Sequence, residues 1–551
     1  MLDDVVTPSG ITFNATGGGS YTIAGGGSII LTNAPAITAN ANATIGAMLS
    51  GNSGFVKLGP GIVTLTNNNT YDGLTAILAG TLKLGSVSAL GAAADTIVTA
   101  GATLDVNGQN LGTNNEAFKI SGQGVGSNGA LINSRTNQGC LKSVTLADDT
   151  TISTTMTNGF AIGSTTGQDG TLILNGFTLT KTGTGQFAIN GVSMTGAGNI
   201  TVNQGTLRLT AAYGGLEQQK TSLTGSGTLT VNPGATLAMN PWNRTLTLTM
   251  PIVLNGGTIL CNWPTEALSI GSPITLESNS VFELTDALNH HVTFAGVISG
   301  PFGLIKTGGN LMSLSACNTY TGTTKVSAGT LLVNGQIGTN VITLGSGATL
   351  GGTGTIGGPT IVQAGATLSP GAISIGTLTV NNTLNLAGKV LMEISKSGTN
   401  LTSDGVVGIS TLNYGGSLVV TNLGTNALTA GDTTTLFAAT NYLGAFESLT
   451  LPALAAGLAW DTAALGVNGS LTVVAVTPPQ ISNFSSVGGG VFRFTLASSN
   501  NLYPPYSLLV STNLANWDVI TSGLLFLDGV YYVTDPDANA SPRRFYRLRY
   551  P

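Results

Sequence analysis

A Gly-Thr-Leu or Gly-Ala-Thr-Leu signature returns along this 551-residue chain, ending at Leu82, Leu104, Leu207, Leu229, Leu331, Leu350 and Leu368. Four pairs of neighbouring signatures stand 22, 22, 19 and 18 residues apart. The text around them alternates with period two, as in "IVTLT" at Ile62 to Thr66, "TLTLT" at Thr245 to Thr249 and "TLTV" at Thr377 to Val380. Such alternation sets Leu and Val on one face of a strand and Thr on the other. A unit of about 20 residues cannot bury that apolar face alone, so the units must stack as the rungs of a parallel β-helix. Roughly 20 rungs at about 4.8 Å each make a rod on the order of 100 Å long. Sustained helical periodicity is scarce, and "LPALAAGLAW" from Leu451 is the best helical candidate.

Composition narrows the classes of function. Charged residues make up 7% of the chain, far below the roughly 25% of an ordinary soluble domain. The 18 Lys and Arg are scattered and the net charge is −5, so no basic stripe tracks a phosphate backbone and nucleic acid is excluded as a partner. No apolar run reaches the roughly 18 residues of a membrane helix, so this chain is not expected to insert in a membrane. The opening "MLDDVVTPSG" carries no signal peptide, as expected after removal or truncation of one. Cys140, Cys261 and Cys317 lie far apart, which indicates neither a zinc site nor a disulfide framework, and no cofactor is expected.

A longer repeat lies over the short one. Gly54 to Gly85 aligns without gaps to Gly303 to Asn334, 249 residues on, sharing "NTY", "AGTL" and the turn glycines Gly59 and Gly308. A degenerate copy runs from Leu179 to Leu209. Lys57, Lys181 and Lys306 occupy matching places and read as strand-end charges that discourage edge pairing. Asp72 matches Thr321 and Asn68 matches Cys317, so what the copies share is turn and packing groups.

These segments resemble the autotransporter-associated β-strand repeat, also called the passenger-associated transport repeat. The match is specific at Lys306 to Gly308, Asn318 to Gly322 and Ala328 to Leu331. Resemblance extends from about Ile11 to Val476 and implies a right-handed parallel β-helix in an exported, surface-exposed bacterial protein, often an adhesin or a stalk. The all-β reading divides the chain into a solenoid over 1–383, a β-rich end over 384–476 and a small C-terminal β-sandwich over 477–551. Consecutive prolines in "TPPQISNF" mark the last boundary. The terminal module, with "STNLANW" and "RFYRL", resembles the modules that close large secreted repeat proteins of the Verrucomicrobia type.

The densest reactive cluster runs from Cys261 to Val292 and holds Trp263, Glu266, Glu277, Glu283, Asp286, His290 and His291. A β-helix groove lined by two acids suits glycosidic cleavage, which makes Glu283, Asp286, His290 and His291 the catalytic alternative. Against it, Glu283 and Asp286 are three apart and His290 and His291 adjacent, so on strands each pair diverges. Asp148 and Asp149 meet the same objection and read as a solvated turn. The glycine-rich Gly351 to Gly358 lacks the Lys and helix of a phosphate loop and reads as two rung corners. Threonine columns are permissive for ice binding, but Thr is also the ordinary soluble strand face. In the terminal module Trp517, Tyr531 and Tyr532 are the candidates for glycan stacking, with core packing the competing role for Trp517.

The leading expectation is an extracellular, non-catalytic, adhesin-type solenoid that contacts polysaccharide or cell-surface components, and it is compatible with self-association of the rod. The alternative is a β-helix polysaccharide lyase or glycoside hydrolase. A sorting or assembly role for 477–551 is the third reading.

Overall fold

The computed structural model describes the chain apart from residues 15–18, 93–94, 113–115, 158, 164–169, 195, 211–220, 241–245, 263–267, 286–290, 373, 477–479, 489–490, 498–506, 521–523, 528–529, 536, 538–539, 541–542 and 550–551. For 480–481, 492, 496–497, 507, 524–527, 530–534 and 548 the backbone alone is described.

Short strands, most of them three to six residues long, stack in parallel ladders. The largest sheets contain 23, 18 and 10 strands. Within a ladder like side chains lie over like: Thr81 and Leu82 pair with Thr103 and Leu104, and Leu331 pairs with Leu350, which pairs with Leu368. Alternation does the sorting, since Leu82 and Leu84 are buried while Thr81 and Lys83 between them are half-buried. The inward Leu, Val, Ile and Phe merge into one core from Phe13 to Val473. Each fully buried side chain of this kind contributes about 1.5–3 kcal/mol. Parallel β-helix architecture follows from those ladders.

One spacing in the sequence does not mark a stacked pair. Leu207 lies over Leu237 in the 18-stranded sheet, whereas Leu229 pairs with Ile200 and Ile252 in the 23-stranded sheet. The rung there is 30 residues long rather than about 20.

Parallel pairing continues to Ser448–Thr450. An antiparallel sheet joins Thr433–Thr435, which precedes the last parallel strands, to Ser470–Ala475 and Leu458–Asp461, which follow them. The helix expected at Leu451 does not form. Leu451 to Ala455 has no regular structure, Leu458–Asp461 is a strand, and the only α-helix among the described residues is Leu465–Asn468. Pro452 lacks a donor, Gly457 takes φ 83°, and the Trp460 indole donates to the Pro452 carbonyl at 2.9 Å, which fixes the loop against the strand.

The terminal module has two antiparallel sheets. One joins Gln480–Gly488, Val491–Ala497, Val530–Thr534 and Leu524–Leu527; the other joins Asp518–Val519, Ser507–Ser511 and Phe545–Arg549. Phe484 of the first sheet meets Tyr546 of the second at a centroid distance of 5.6 Å. Buried Asp535 accepts from the Tyr546 hydroxyl at 2.8 Å and pairs with Arg544 at 2.7 Å.

Candidate functional site

The residues kept between repeats build rung-to-rung fastenings. Phe55 and Lys57 are two apart on the strand Phe55–Leu58, so both point inward. Lys57 is 0% exposed, as are Lys181 and Lys306. Lys57 Nζ donates to the carbonyls of Leu58 at 3.0 Å, Gly59 at 2.8 Å and Ala79 at 2.8 Å. Lys306 repeats the pattern on Thr307, Gly308 and Ala328 at 3.0, 2.7 and 3.0 Å, and Lys181 on Thr182, Gly183 and Gln204 at 2.7, 2.7 and 3.1 Å. An ammonium has three donors, and all three are used.

The expectation that these lysines are exposed edge charges is therefore corrected. Each holds a glycine turn to the start of the following Gly-Thr-Leu strand, and burial lowers its pKa to about 8. Gly59, Gly183 and Gly308 turn their carbonyls toward the amine at φ 77°, 74° and 73°, a region that suits glycine.

The asparagine of each "NTY" triplet acts in the same sense, while its tyrosine bonds within its own segment. Asn69 accepts from the Leu49 amide at 2.9 Å and donates to the Ala89 carbonyl at 2.6 Å, joining the rungs on either side. Asn318 accepts from Ile298 at 2.9 Å and donates to Gln336 at 3.1 Å. Tyr71 and Tyr320 are buried, with hydroxyls 2.7 and 2.6 Å from Thr75 and Thr324 Oγ1.

Of the acidic cluster, Glu277, Glu283 and His291 fall among the described residues. Asp286 and His290 lie outside them, as do Trp263 and Glu266. Glu283 is half-buried on Ser280–Leu284, between Leu260 and Thr307 in its ladder; Glu277 is exposed on a strand of the 23-stranded sheet; His291 is exposed. Asp148 and Asp149 are exposed within the strand Ser143–Ser153, where its pairing shifts between ladders, and Asp149 accepts from the Thr178 amide at 2.8 Å. That placement corrects the turn expected there: a long strand crosses from one ladder to the next at these aspartates.

In the terminal module Trp517 is half-buried, and the Arg547 guanidinium lies 4.1 Å from the centre of its ring. One face of the indole is thereby occupied. Tyr531 and Tyr532 lie on Val530–Thr534 in the other sheet.

A different surface draws polar groups together. On the 18-stranded sheet, Ala188, Arg208 and Ala238 are in register, as are Asn190, Thr210 and Asn240. Between these columns Ile189, Leu209 and Met239 point into the core, so both columns point outward. Despite this, Asn190 is 5% and Asn240 4% exposed. The column of Ala188 continues backward as Ala161 and Cys140, which form a small buried cluster apart from the main core. Burial pushes the Cys140 thiol up to about 12. The amide oxygens of Asn190, Asn240 and Asn262 and Nε of Arg208 have no hydrogen-bond partner among the described residues. Sequence reading missed this surface because nothing in the text shows that positions 188, 208 and 238 stack.

Three segments, 55–84, 179–209 and 304–333, match the passenger-associated-transport-repeat family model. Each begins within two residues of one of the buried lysines or includes its strand, and the chain carries three such repeats. Over 155 residues it is 37% identical to the Adhesin BmaC autotransporter of Brucella suis biovar 1 (strain 1330), a stretch covering 27% of this chain and 4% of that protein. The chain thus spans a small fraction of its curated relative. The crystal structure of the Haemophilus influenzae Hap adhesin aligns with 83% of this chain and 64% of its own at 13% identity, with a TM-score of 0.29.

Proposed function

We propose that this chain, a β-solenoid carrying three passenger-associated-transport repeats, is the rod of an exported, surface-exposed, adhesin-type protein that acts by contact rather than catalysis. The observation that carries the reading is the likeness, 37% over 155 residues, to an autotransporter adhesin. The repeats support it chemically, because their buried lysines, and the asparagines of two of them, are spent on joining rungs, while the tyrosines are buried with a bond four residues along their own segment, which leaves the outer faces for recognition. Partners are components of a surface met outside the cell.

Beads coated with the purified chain test the reading against immobilised extracellular polysaccharide and whole cells. Retention well above albumin-coated beads is the expected result. Equal retention, or release of soluble sugar from the polysaccharide by the chain, overturns it.

A further inference from the structure

We propose that the outer face of the terminal module binds an acidic polysaccharide, with Arg547 and Arg549 each taking a carboxylate. Arginine is concentrated there as nowhere else in the chain. Of 18 Lys and Arg in 551 residues, four fall within the seven positions from Arg543 to Arg549. Strand parity then divides them. On Phe545–Arg549, Tyr546 faces the other sheet, where it meets Phe484, so Phe545, Arg547 and Arg549 face outward. Arg544 is spent on buried Asp535. Arg543, Arg547 and Arg549 are exposed, and no described residue meets them with a hydrogen bond or an ion pair. Asp518 of the same sheet pairs with Val510, as Tyr546 does, and so lies on the side away from Arg547.

The two motifs of the module, "STNLANW" and "RFYRL", converge on Arg547. Ser511 Oγ accepts from the Leu514 amide at 2.9 Å, and Asn513 Oδ1 from the Ala515 and Asn516 amides, both at 2.9 Å, which ties the turn down. Trp517 closes it by donating from its indole to the Leu514 carbonyl at 3.1 Å. The Arg547 guanidinium lies over that fixed ring, 4.1 Å from its centre. Stacking holds the planar fork in place and leaves its N–H edge free, the arrangement that suits a two-pronged bond to a carboxylate. Arg549, two residues along the same face, stands roughly 7 Å further on. Two acid-binding points in a line on a terminal strand of their sheet fit a linear chain of sugar acids. A lipid surface fits less well, because it calls for a cluster of roughly four to eight basic residues. The indole that would enter the headgroup layer is, besides, already covered by Arg547.

This inference rests on the surface-contact reading for where the polysaccharide is met and adds the ligand's class and its place. Isothermal titration of the full chain with tetragalacturonate tests it, with neutral maltotetraose and phosphatidylglycerol vesicles as the comparisons. Expected is saturable binding of the acidic oligomer alone, weakened by added salt and about fivefold or more by Arg547→Gln or Arg549→Gln. Arg547→Lys keeps the charge without the fork and is expected to bind more weakly than the parent. Lys119→Gln with Lys325→Gln removes two exposed charges from the rod and leaves binding unchanged. Should Arg547→Gln disturb the Trp517 turn, Arg549→Gln still decides, since Arg549 holds no described residue in place. Absence of binding at millimolar tetragalacturonate, equal binding of maltotetraose, or preference for the vesicles overturns the site. So do folded arginine variants that bind as the parent does, or an equal loss from the two rod lysines. Bead retention on surfaces free of acidic glycan is scored separately, so loss of this site leaves the adhesion reading standing.

Discussion

Lys57 donates from Nζ to the carbonyl of Ala79 at 2.8 Å, across 22 residues of chain. That bond spans one rung. It joins the end of one strand to the residue before the glycine that opens the next "GTL" strand, and Lys306 with Ala328 does the same.

Removing one ammonium strands three carbonyls in the core. Lys306→Ala is expected to cost about 3 kcal/mol, since each unpaired buried group costs about 1–3 kcal/mol and some regain water. Urea unfolding of the purified chain measures it. A loss below about 0.5 kcal/mol would place the amine in solvent.

The same lysines set a pH dependence. Their folded pKa of about 8 lies below the ordinary lysine value of 10.5, so between these values the unfolded chain holds more protons than the folded one. Their contribution is therefore lowest below pH 8, rises through the window, and is complete above 10.5. Subtracting the urea midpoints of a Lys57→Met, Lys181→Met, Lys306→Met variant from those of the parent isolates this rise between pH 7.5 and 9.5. A difference that stays flat or falls contradicts it. Above about pH 10 buried Tyr320, pushed up to about 12, acts in the opposite sense and erodes stability.

Tyr320 separates packing from hydrogen bonding. Tyr320→Phe keeps the buried ring and deletes the 2.6 Å contact with Thr324, for an expected loss of about 1 kcal/mol. Tyr320→Ala also opens a cavity and is expected to cost about 3–5 kcal/mol. Thermal unfolding of both variants distinguishes the two terms.

Adjacent glycines give a sharper contrast. Gly308 has φ 73°, and a Cβ there would sit 2.0 Å from the Leu284 carbonyl oxygen; a Cβ on Gly309 meets nothing within 4 Å. Gly308→Ala is expected to destabilise by more than about 2 kcal/mol, and Gly309→Ala to stay within about 0.5 kcal/mol of the parent. Equal effects in denaturant titrations would remove the turn from its role.

Much of the rod was legible because a strand's parity is written in its own residues. Leu82 and Leu84 announce their face, and so does Phe55. By the same parity Lys57 shares the face of Phe55. Its charge suggested the surface instead, because a lone buried ammonium is expensive, and the three carbonyls that offset the cost belong partly to a corner 22 residues away. Register was the part the text withheld. Leu207 reads as the partner of Leu229 but lies over Leu237, and the gathering of Asn190, Arg208 and Asn240 depends on that offset. The Leu451 segment failed differently: its alanines favour helix, while Pro452 and the Trp460 indole commit the backbone elsewhere.

The reach of each buried ammonium bears on ancestry. Because Lys57 and Lys306 touch only their own turn and the one that follows, a duplicated block arrives with its fastenings already matched to either neighbour. The asparagines still need a partner outside the block, Leu49 for Asn69 and Ile298 for Asn318, so it is the lysine fastening that travels whole. To that extent the lysine fastenings leave length open to change by unequal recombination.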